Sequence, residues 1–455
     1  MGAEKDIIIA VELASTAIRA IAGKREPDGS MQVLAFAQEE SSNTIRKGVI
    51  DNIDKTTQAL TRVVAKLGDK LGVRVKSIYI GLGGQSLRTV YNRVLLQFDG
   101  LELLSHKTID KMRDTNRGVV YPNAEIIEVV PQEFTIGNRS IADPVGMQAE
   151  SIEANFINII ARPTLEENIR KCVAEAGLEV QEVFISPLCL ADALLTANEK
   201  RSGCALVDMG ADTTTVSVYS NNILRHLCVI PLGGSNVTSD ITSLKVDAEE
   251  AEELKKKYGT AYRSDSEDKT GQKINLSFDR TEDEEKLQEI VEARYEEIIA
   301  NVCHRVSTYK DKLLSGIIVT GGAARIPELP KAFARQTGGD LNVRIAKGLP
   351  ENVSISYGIQ VGEPDRLYTL YALLLAGKEN CVCEASEDPV QKTFDFENKE
   401  EPKVAESDIQ GKTDETDDSV TQDTQEKPKG SSTIKRIWKT FEKMLSDEVD
   451  PDEDN

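Results

Sequence analysis

Histidine is scarce in this sequence. The three residues, His106, His226 and His304, are too few and too scattered for a histidine-based metal centre. Cysteine is thinly spread as Cys172, Cys189, Cys204, Cys228, Cys303, Cys381 and Cys383, with no CxxC spacing. That excludes a disulfide scaffold and leads to the expectation of a reducing, cytoplasmic compartment. Long apolar runs are missing as well. No stretch reaches the roughly 18 residues of a spanning helix, and no charged-apolar-small leader follows Met1, so neither a transmembrane nor a secreted protein is expected. Positive charge is in deficit: 55 Lys+Arg against 76 Asp+Glu leave −21, the wrong sign for nucleic acid as a main partner.

What is present is a 455-residue chain, 40% hydrophobic and 29% charged, long enough for several domains with real cores. Residues 1 to about 383 alternate strand-like and helix-like patterns, which is the signature of an α/β body. Asp6 to Val11, Val75 to Ile80, Cys204 to Val207 and Gly316 to Thr320 read as buried strands. Thr281 to Leu314 reads as one long helix, with Thr281 and Glu284 as a capping box at its start. From Glu384 to Gly430 the composition changes: 15 acids face 6 bases and aromatics nearly vanish. Such a segment buries too little apolar surface to offset its ordering entropy and is expected to be a disordered linker.

The body contains a weak internal repeat. Ile8 to Thr16 and Ala205 to Thr214 both read strand, acid, small-residue turn, hydroxyl, then a second strand, and the two acids, Glu12 and Asp208, lie 196 residues apart. That spacing fits duplicated halves of one fold rather than a short repeat array. Tight turns of small residues let backbone N–H groups approach a phosphate; hydroxyls add donors, and a nearby acid can hold Mg²⁺. Two such hairpins from opposite halves could clamp one polyphosphate. Ile317 to Leu329 supplies a third element, a strand ending in Gly321-Gly322-Ala323 where a flat base or ribose can approach the backbone, with Pro327 placed to open a helix.

The last segments carry blocks of charge. Ile434, Ile437, Trp438, Phe441 and Leu445 recur at helical spacing, with Lys435, Arg436, Lys439 and Lys443 on the opposite side. Trp438 is the only tryptophan, a residue that favours the headgroup region of a bilayer. Residues 431–446 therefore read as an in-plane amphipathic anchor for an anionic membrane surface. The final nine residues, 447–455, hold six acids that such a surface repels.

Together these motifs resemble the actin-like ATPase superfamily of actins, Hsp70 chaperones and sugar kinases. Within it they resemble the FtsA family of bacterial cell-division proteins. The closer likeness rests on Val129-Val130-Pro131-Gln132-Glu133-Phe134 with Asp143-Pro144-Val145-Gly146-Met147, on Val229 to Ile241, and on Ala251-Glu252-Glu253-Leu254-Lys255. The resemblance implies a two-lobed fold: lobe 1 over 1–85 and 163–200, an inserted FtsA-type subdomain over 86–162, and lobe 2 over 201–239, 240–310 and 311–383. The linker (384–430), terminal helix and acidic end follow. It implies ATP and Mg²⁺ as cofactors. Glu12 and Asp208 would hold Mg²⁺, while Ser15, Thr16, Gly210, Thr213 and Thr214 would face phosphate. Glu252, Lys255, Gly321, Gly322 and Ala323 would hold the nucleoside. It further implies a protein that tethers the FtsZ ring, through the FtsZ C-terminal tail, to the cytoplasmic face of the cell membrane at the division site, polymerises with itself like actin, and meets other division proteins. A pilus-assembly adaptor and a small-molecule kinase of the same superfamily are the alternatives. The sequence departs from the family at Ala14, at Ala211-Asp212, where a Gly-Gly pair is usual, and at Ser186, where a water-orienting Glu or Gln is usual; ATP hydrolysis is accordingly expected to be weak.

Overall fold

Five consecutive buried residues, Ile7 to Val11, make the first strand (β1, Ile7–Leu13) a central one, covered on both faces. A computed structural model describes residues 6–383 apart from 42–43, 265–272 and 277–279. From β1 the chain turns back twice, into β2 (Ala17–Arg25) and β3 (Met31–Glu40), and enters α1 (Ile53–Leu71). Asn52 caps that helix by accepting from Lys55 N at 2.9 Å, Gly72 closes it in a left-handed conformation, and Ala59, Leu60, Val63, Val64 and Leu67 face the sheet. Next comes β4 (Ser77–Leu82), parallel to β1.

The insertion then begins. It consists of long strands β5 (Arg88–Leu103), β6 (Glu125–Ile136) and β7 (Gln148–Ala161) in antiparallel array, with α2 (His106–Arg117) between β5 and β6 in sequence. Val94, Met112, Phe134, Ile152 and Phe156 form its own small core. The chain returns to lobe 1 through α3 (Pro163–Glu175), β8 (Glu179–Ile185), parallel to β4, and α4 (Ser186–Leu194).

Lobe 2 repeats the plan. An antiparallel meander, β9 (Cys204–Met209), β10 (Thr214–Ser220) and β11 (Ile223–Ile230), is followed by α5 (Gly234–Ile241), α6 (Ala248–Tyr258) and α7 (Glu284–Val306). Then come β12 (Ile317–Thr320), parallel to β9, α8 (Leu329–Thr337) and β13 (Val343–Ile345), parallel to β12. A further strand, β14 (Val353–Ile355), and α9 (Tyr368–Ala376) return to lobe 1. The strand orders β8-β4-β1-β2-β3 and β13-β12-β9-β10-β11 are the same order twice, so the internal repeat is structural. Each lobe has its own apolar core.

The Pro-Gln-Glu-Phe stretch joins the insertion to lobe 2. Arg225 of β11 donates to both carboxylate oxygens of Glu133, at 2.8 and 2.5 Å, and to Gln132 Oε1 at 2.9 Å. Gln132 Nε2 donates in turn to Leu224 O at 3.1 Å, and Phe134 is buried in the insertion's core. Thr89 exchanges hydrogen bonds with the backbone of Leu227, and Arg88 pairs with Cys228, making one continuous sheet.

Two readings of the sequence are corrected. The long helix starts at Glu284, not Thr281, because Thr281 lies on a strand (Arg280–Asp283) opposite Asn275; it ends at Val306 and tightens into a 3-10 turn over Ser307–Lys312. Pro327 does not open a helix: Glu328 follows at φ 64°, and Pro330 is the proline in the first turn of α8. The described residues hold no helix long and apolar enough to cross a membrane. The expected linker, the anchor residues Ile434, Lys435, Arg436, Ile437, Trp438, Lys439, Phe441, Lys443 and Leu445, and the acidic end lie outside the described residues.

Candidate functional site: a cleft between two matching hairpins

The two repeated turns close in the same way. Ala14 N donates to Ala17 O at 3.1 Å, and Gly210 N donates to Thr213 O at 2.8 Å. Both open on a cleft of about 1010 Å³ between the lobes, lined among others by Glu12, Ser15, Thr16, Asp208, Gly210, Thr213, Glu252, Lys255, Gly321, Gly322 and Ala323. Eleven of the twelve cleft residues singled out from the sequence are thus brought together. Thr214 is the exception. It is fully buried, and its hydroxyl donates to Leu232 O at 2.8 Å. Thr213 lies in the turn before β10 and lines the cleft, while Thr214, the first residue of the strand, faces the core.

Asp208 carries the strongest electrostatic signature. Burial, and after it the charge of Glu12, pushes its carboxyl up to about 7. Among the described residues no group donates a hydrogen bond to this carboxylate. Gly321 presses on it at φ 94°: a Cβ there would fall 2.5 Å from Asp208 Oδ1. An acid without a protein donor, with a second acid near enough to raise it, is a suitable setting for a hard divalent cation, so Glu12 and Asp208 fit the Mg²⁺ that the fold class implies.

Arg19 escaped the reading of the sequence. It stands directly opposite Glu12 in the β1–β2 register, with Nη1 3.2 Å from Glu12 Oε2 and Nη2 3.4 Å from Thr16 Oγ1, and it lines the cleft. The signal was available: residues flanking a tight hairpin turn face each other, and the seven-residue step from Glu12 lands on Arg19. The same step from Asp208 lands on Thr215, its partner in the β9–β10 register. A guanidinium at the mouth of a phosphate-sized turn is a ready phosphate donor.

The far wall is a polar network. Lys255 Nζ bonds Gly234 O at 3.0 Å, Thr238 Oγ1 at 2.8 Å and Glu252 Oε2 at 2.5 Å. Burial alone would raise the Glu252 carboxyl, but hydrogen bonds from Lys255 and Thr238 outweigh it and hold the group below the usual range. Tyr295, from α7, donates to Ala323 O at 2.8 Å and fixes the Gly-Gly-Ala turn; it too was missed. Ser186 begins α4 at the edge of the cleft.

Two lobes of identical strand order around one polar cleft, with a domain inserted in the first, define an actin-like fold. The solved PilM–PilN type IV pilus biogenesis complex has the same fold. It matches with a TM-score of 0.57 and 15% sequence identity, over 81% of this chain and 97% of that one. The family model "Cell division protein FtsA" matches residues 205–364, and the model "SHS2 domain inserted in FTSA" matches 84–160. The cell division protein FtsA of Porphyromonas gingivalis is 30% identical over 345 residues, 73% of this chain and 71% of that protein. That of Enterococcus faecalis is 30% identical over 339 residues, 71% of this chain and 75% of its own length. The chain belongs to the FtsA family of cell division proteins.

Proposed function

We propose that this protein is a nucleotide-controlled adaptor that ties the division ring to the cytoplasmic face of the membrane. The observation that carries the nucleotide part is the convergence of both repeated turns, Asp208 and the Gly321-Gly322-Ala323 turn on one cleft. Glu12 and Asp208 would hold Mg²⁺, which when bound screens the phosphate charge. Arg19, Ser15, Thr16, Gly210 and Thr213 would bind phosphates, and Glu252, Lys255, Gly321, Gly322 and Ala323 the nucleoside. Family membership supports the remaining parts: recognition of the FtsZ C-terminal tail, contact with other division proteins, and self-association into filaments that nucleotide favours. The sequence of 431–446 supports attachment to an anionic bilayer.

Isothermal calorimetry of the full chain with ATP, with and without Mg²⁺, tests the cleft, and Mg²⁺-dependent heat is expected. No heat under either condition rejects the nucleotide reading. Pull-down with an FtsZ C-terminal peptide tests the partner. Hydrolysis is expected to be slow, because Ser186 is short and a poor base at neutral pH. Turnover near the roughly 10 s⁻¹ typical of enzymes would contradict this.

A further inference from the structure

Asp212 stands where the family pattern has glycine, and its side chain reaches across the cleft that it lines. Its Oδ2 accepts a hydrogen bond across the cleft from the backbone N–H of Lys47, in lobe 1, at 3.1 Å. Lys47 sits at φ 50° in the tight turn of a small hairpin (Ile45–Arg46 with Val49–Ile50). That turn is held from its other side as well. Lys47 O accepts from Gln85 N at 3.0 Å, and Gly48 lies so close to Gly84 that a Cβ on it would fall 2.6 Å from Gly84 Cα. Gln85 lies three residues before β5, the first strand of the insertion. One contact line therefore runs from the lobe 2 phosphate turn, through Asp212 and Lys47, to the root of the inserted domain. Asp212 and Gly48 both line the cleft.

We propose that Asp212 is a latch between the lobes that distinguishes nucleoside triphosphate from diphosphate, a proposal that rests on the nucleotide reading above. The carboxylate is anionic and belongs to the turn that would meet the terminal phosphate. A backbone N–H is a single donor, so Asp212 either holds Lys47 or leaves it. With the cleft empty or holding a diphosphate, the latch stays closed. A terminal phosphate brings negative charge against the Asp212 carboxylate, like charges repel, and the carboxylate leaves Lys47. The insertion's root is then released from the lobe 2 phosphate turn.

The test is amide hydrogen exchange, followed by mass spectrometry on peptides covering 44–50, in the full chain. Wild type, Asp212→Gly (no acceptor) and Asp212→Asn (acceptor kept, charge removed) are compared without nucleotide, with Mg²⁺–ADP and with Mg²⁺–ATP. In wild type the Lys47 amide is expected to be protected without nucleotide and with ADP, and to exchange several-fold faster with ATP. Asp212→Gly should exchange fast in all three states and Asp212→Asn slowly in all three. Calorimetry should show that Asp212→Asn raises the ATP-to-ADP affinity ratio on the order of tenfold. Equal exchange in nucleotide-free wild type and Asp212→Gly overturns the latch. Protection that survives saturating ATP in wild type overturns the sensing. Calorimetry that detects neither nucleotide overturns the nucleotide reading and the sensing with it, while the Asp212→Gly comparison still decides whether the latch exists.

Discussion

Asp208 puts the chemistry of the cleft into one titration. Its carboxyl is raised from an ordinary value to about 7, by burial first and by Glu12 second. A raised carboxyl binds its proton more tightly in the folded state, so the contribution to stability is full below about pH 4 and is lost as pH climbs through 7. Asp208→Asn removes this loss. Without nucleotide, the Asp208→Asn variant should therefore be more stable than wild type at pH 8 and no different near pH 4, as read by urea unfolding at the two pH values. The same change should abolish the Mg²⁺ dependence of ATP binding, since the ionised form is the one that would hold the cation. Wild-type Mg²⁺ affinity should rise with pH up to about 7 and level off above it. Equal stability of the two proteins at pH 8 would show that Asp208 is not destabilised by its site. Asp208, like Glu12 and Gly321, was legible in the sequence because the strand-acid-turn pattern occurs twice and a Gly-Gly turn closes a third buried strand, whereas any one of the three alone is an ordinary turn. Arg19 was passed over although the signal was there, since it looks like any strand residue until the hairpin register is counted out and places it opposite Glu12. Thr214 was misread because two adjacent hydroxyls look equivalent in one dimension, while the strand that begins at Thr214 turns its hydroxyl into the core and leaves Thr213 in the turn.

Elements with a period, or with a short apolar run bounded by turn residues, were legible, and a helix without a stripe was not. The strands around Ile9, Ile80, Leu206 and Ile318 announced themselves as short apolar runs, and α7 through Leu287, Val291, Ile298 and Val302, all buried. The α9 segment is apolar nearly all round, with Leu370, Tyr371, Ala372, Leu373 and Leu374 buried in succession, so it has no stripe by which to tell a helix from a core strand. The start of α7 was misplaced because a capping-box spacing at Thr281 competes with a strand pairing that only the folded chain shows. The Pro-Gln-Glu-Phe stretch was conspicuous as a motif, but its purpose became visible only when β6 met β11. There Arg225 holds Glu133 through hydrogen bonds that keep its carboxyl below the usual range, against the opposing effect of burial. A lowered carboxyl contributes stability above its unfolded value and loses it as pH falls through the folded one. Arg225→Ala should cost about 1–3 kcal/mol at pH 7, the usual range for a hydrogen bond to a charged group that is partly buried. That difference should shrink as pH falls through the lowered Glu133 value, because the protonated carboxyl no longer holds the guanidinium by charge. Urea unfolding from pH 7 downward measures it, and a cost that does not change with pH would assign the effect to lost packing of the arginine stem.

For the whole molecule, the repeat is what made the architecture readable: two acid-turn-hydroxyl motifs 196 residues apart fit duplicated halves of one fold, and the strand orders match. The same scale brings in charge. A chain of net −21 is repelled by an anionic bilayer unless a local segment reverses the sign, and residues 431–446 do so with four bases against one acid. If that segment forms a helix in the interface, Trp438 and Phe441 each contribute about 1.5–3 kcal/mol by burying their rings. The bases add up to about 1 kcal/mol each near an anionic surface, reduced by the six acids of 447–455. Trp438→Glu should release the full chain from anionic vesicles in co-sedimentation, because it removes the largest apolar side chain and places an acid in its stead. Deleting 448–455 should strengthen binding at low salt and have little effect at high salt, where the Debye length falls to about 3 Å at 1 M and the acids no longer reach the surface. Neutral vesicles should retain only the apolar share. If Trp438→Glu sediments with anionic vesicles as wild type does, the anchor lies elsewhere. If wild type binds neutral and anionic vesicles alike while Trp438→Glu binds neither, the apolar stripe anchors the protein and the bases do not contribute.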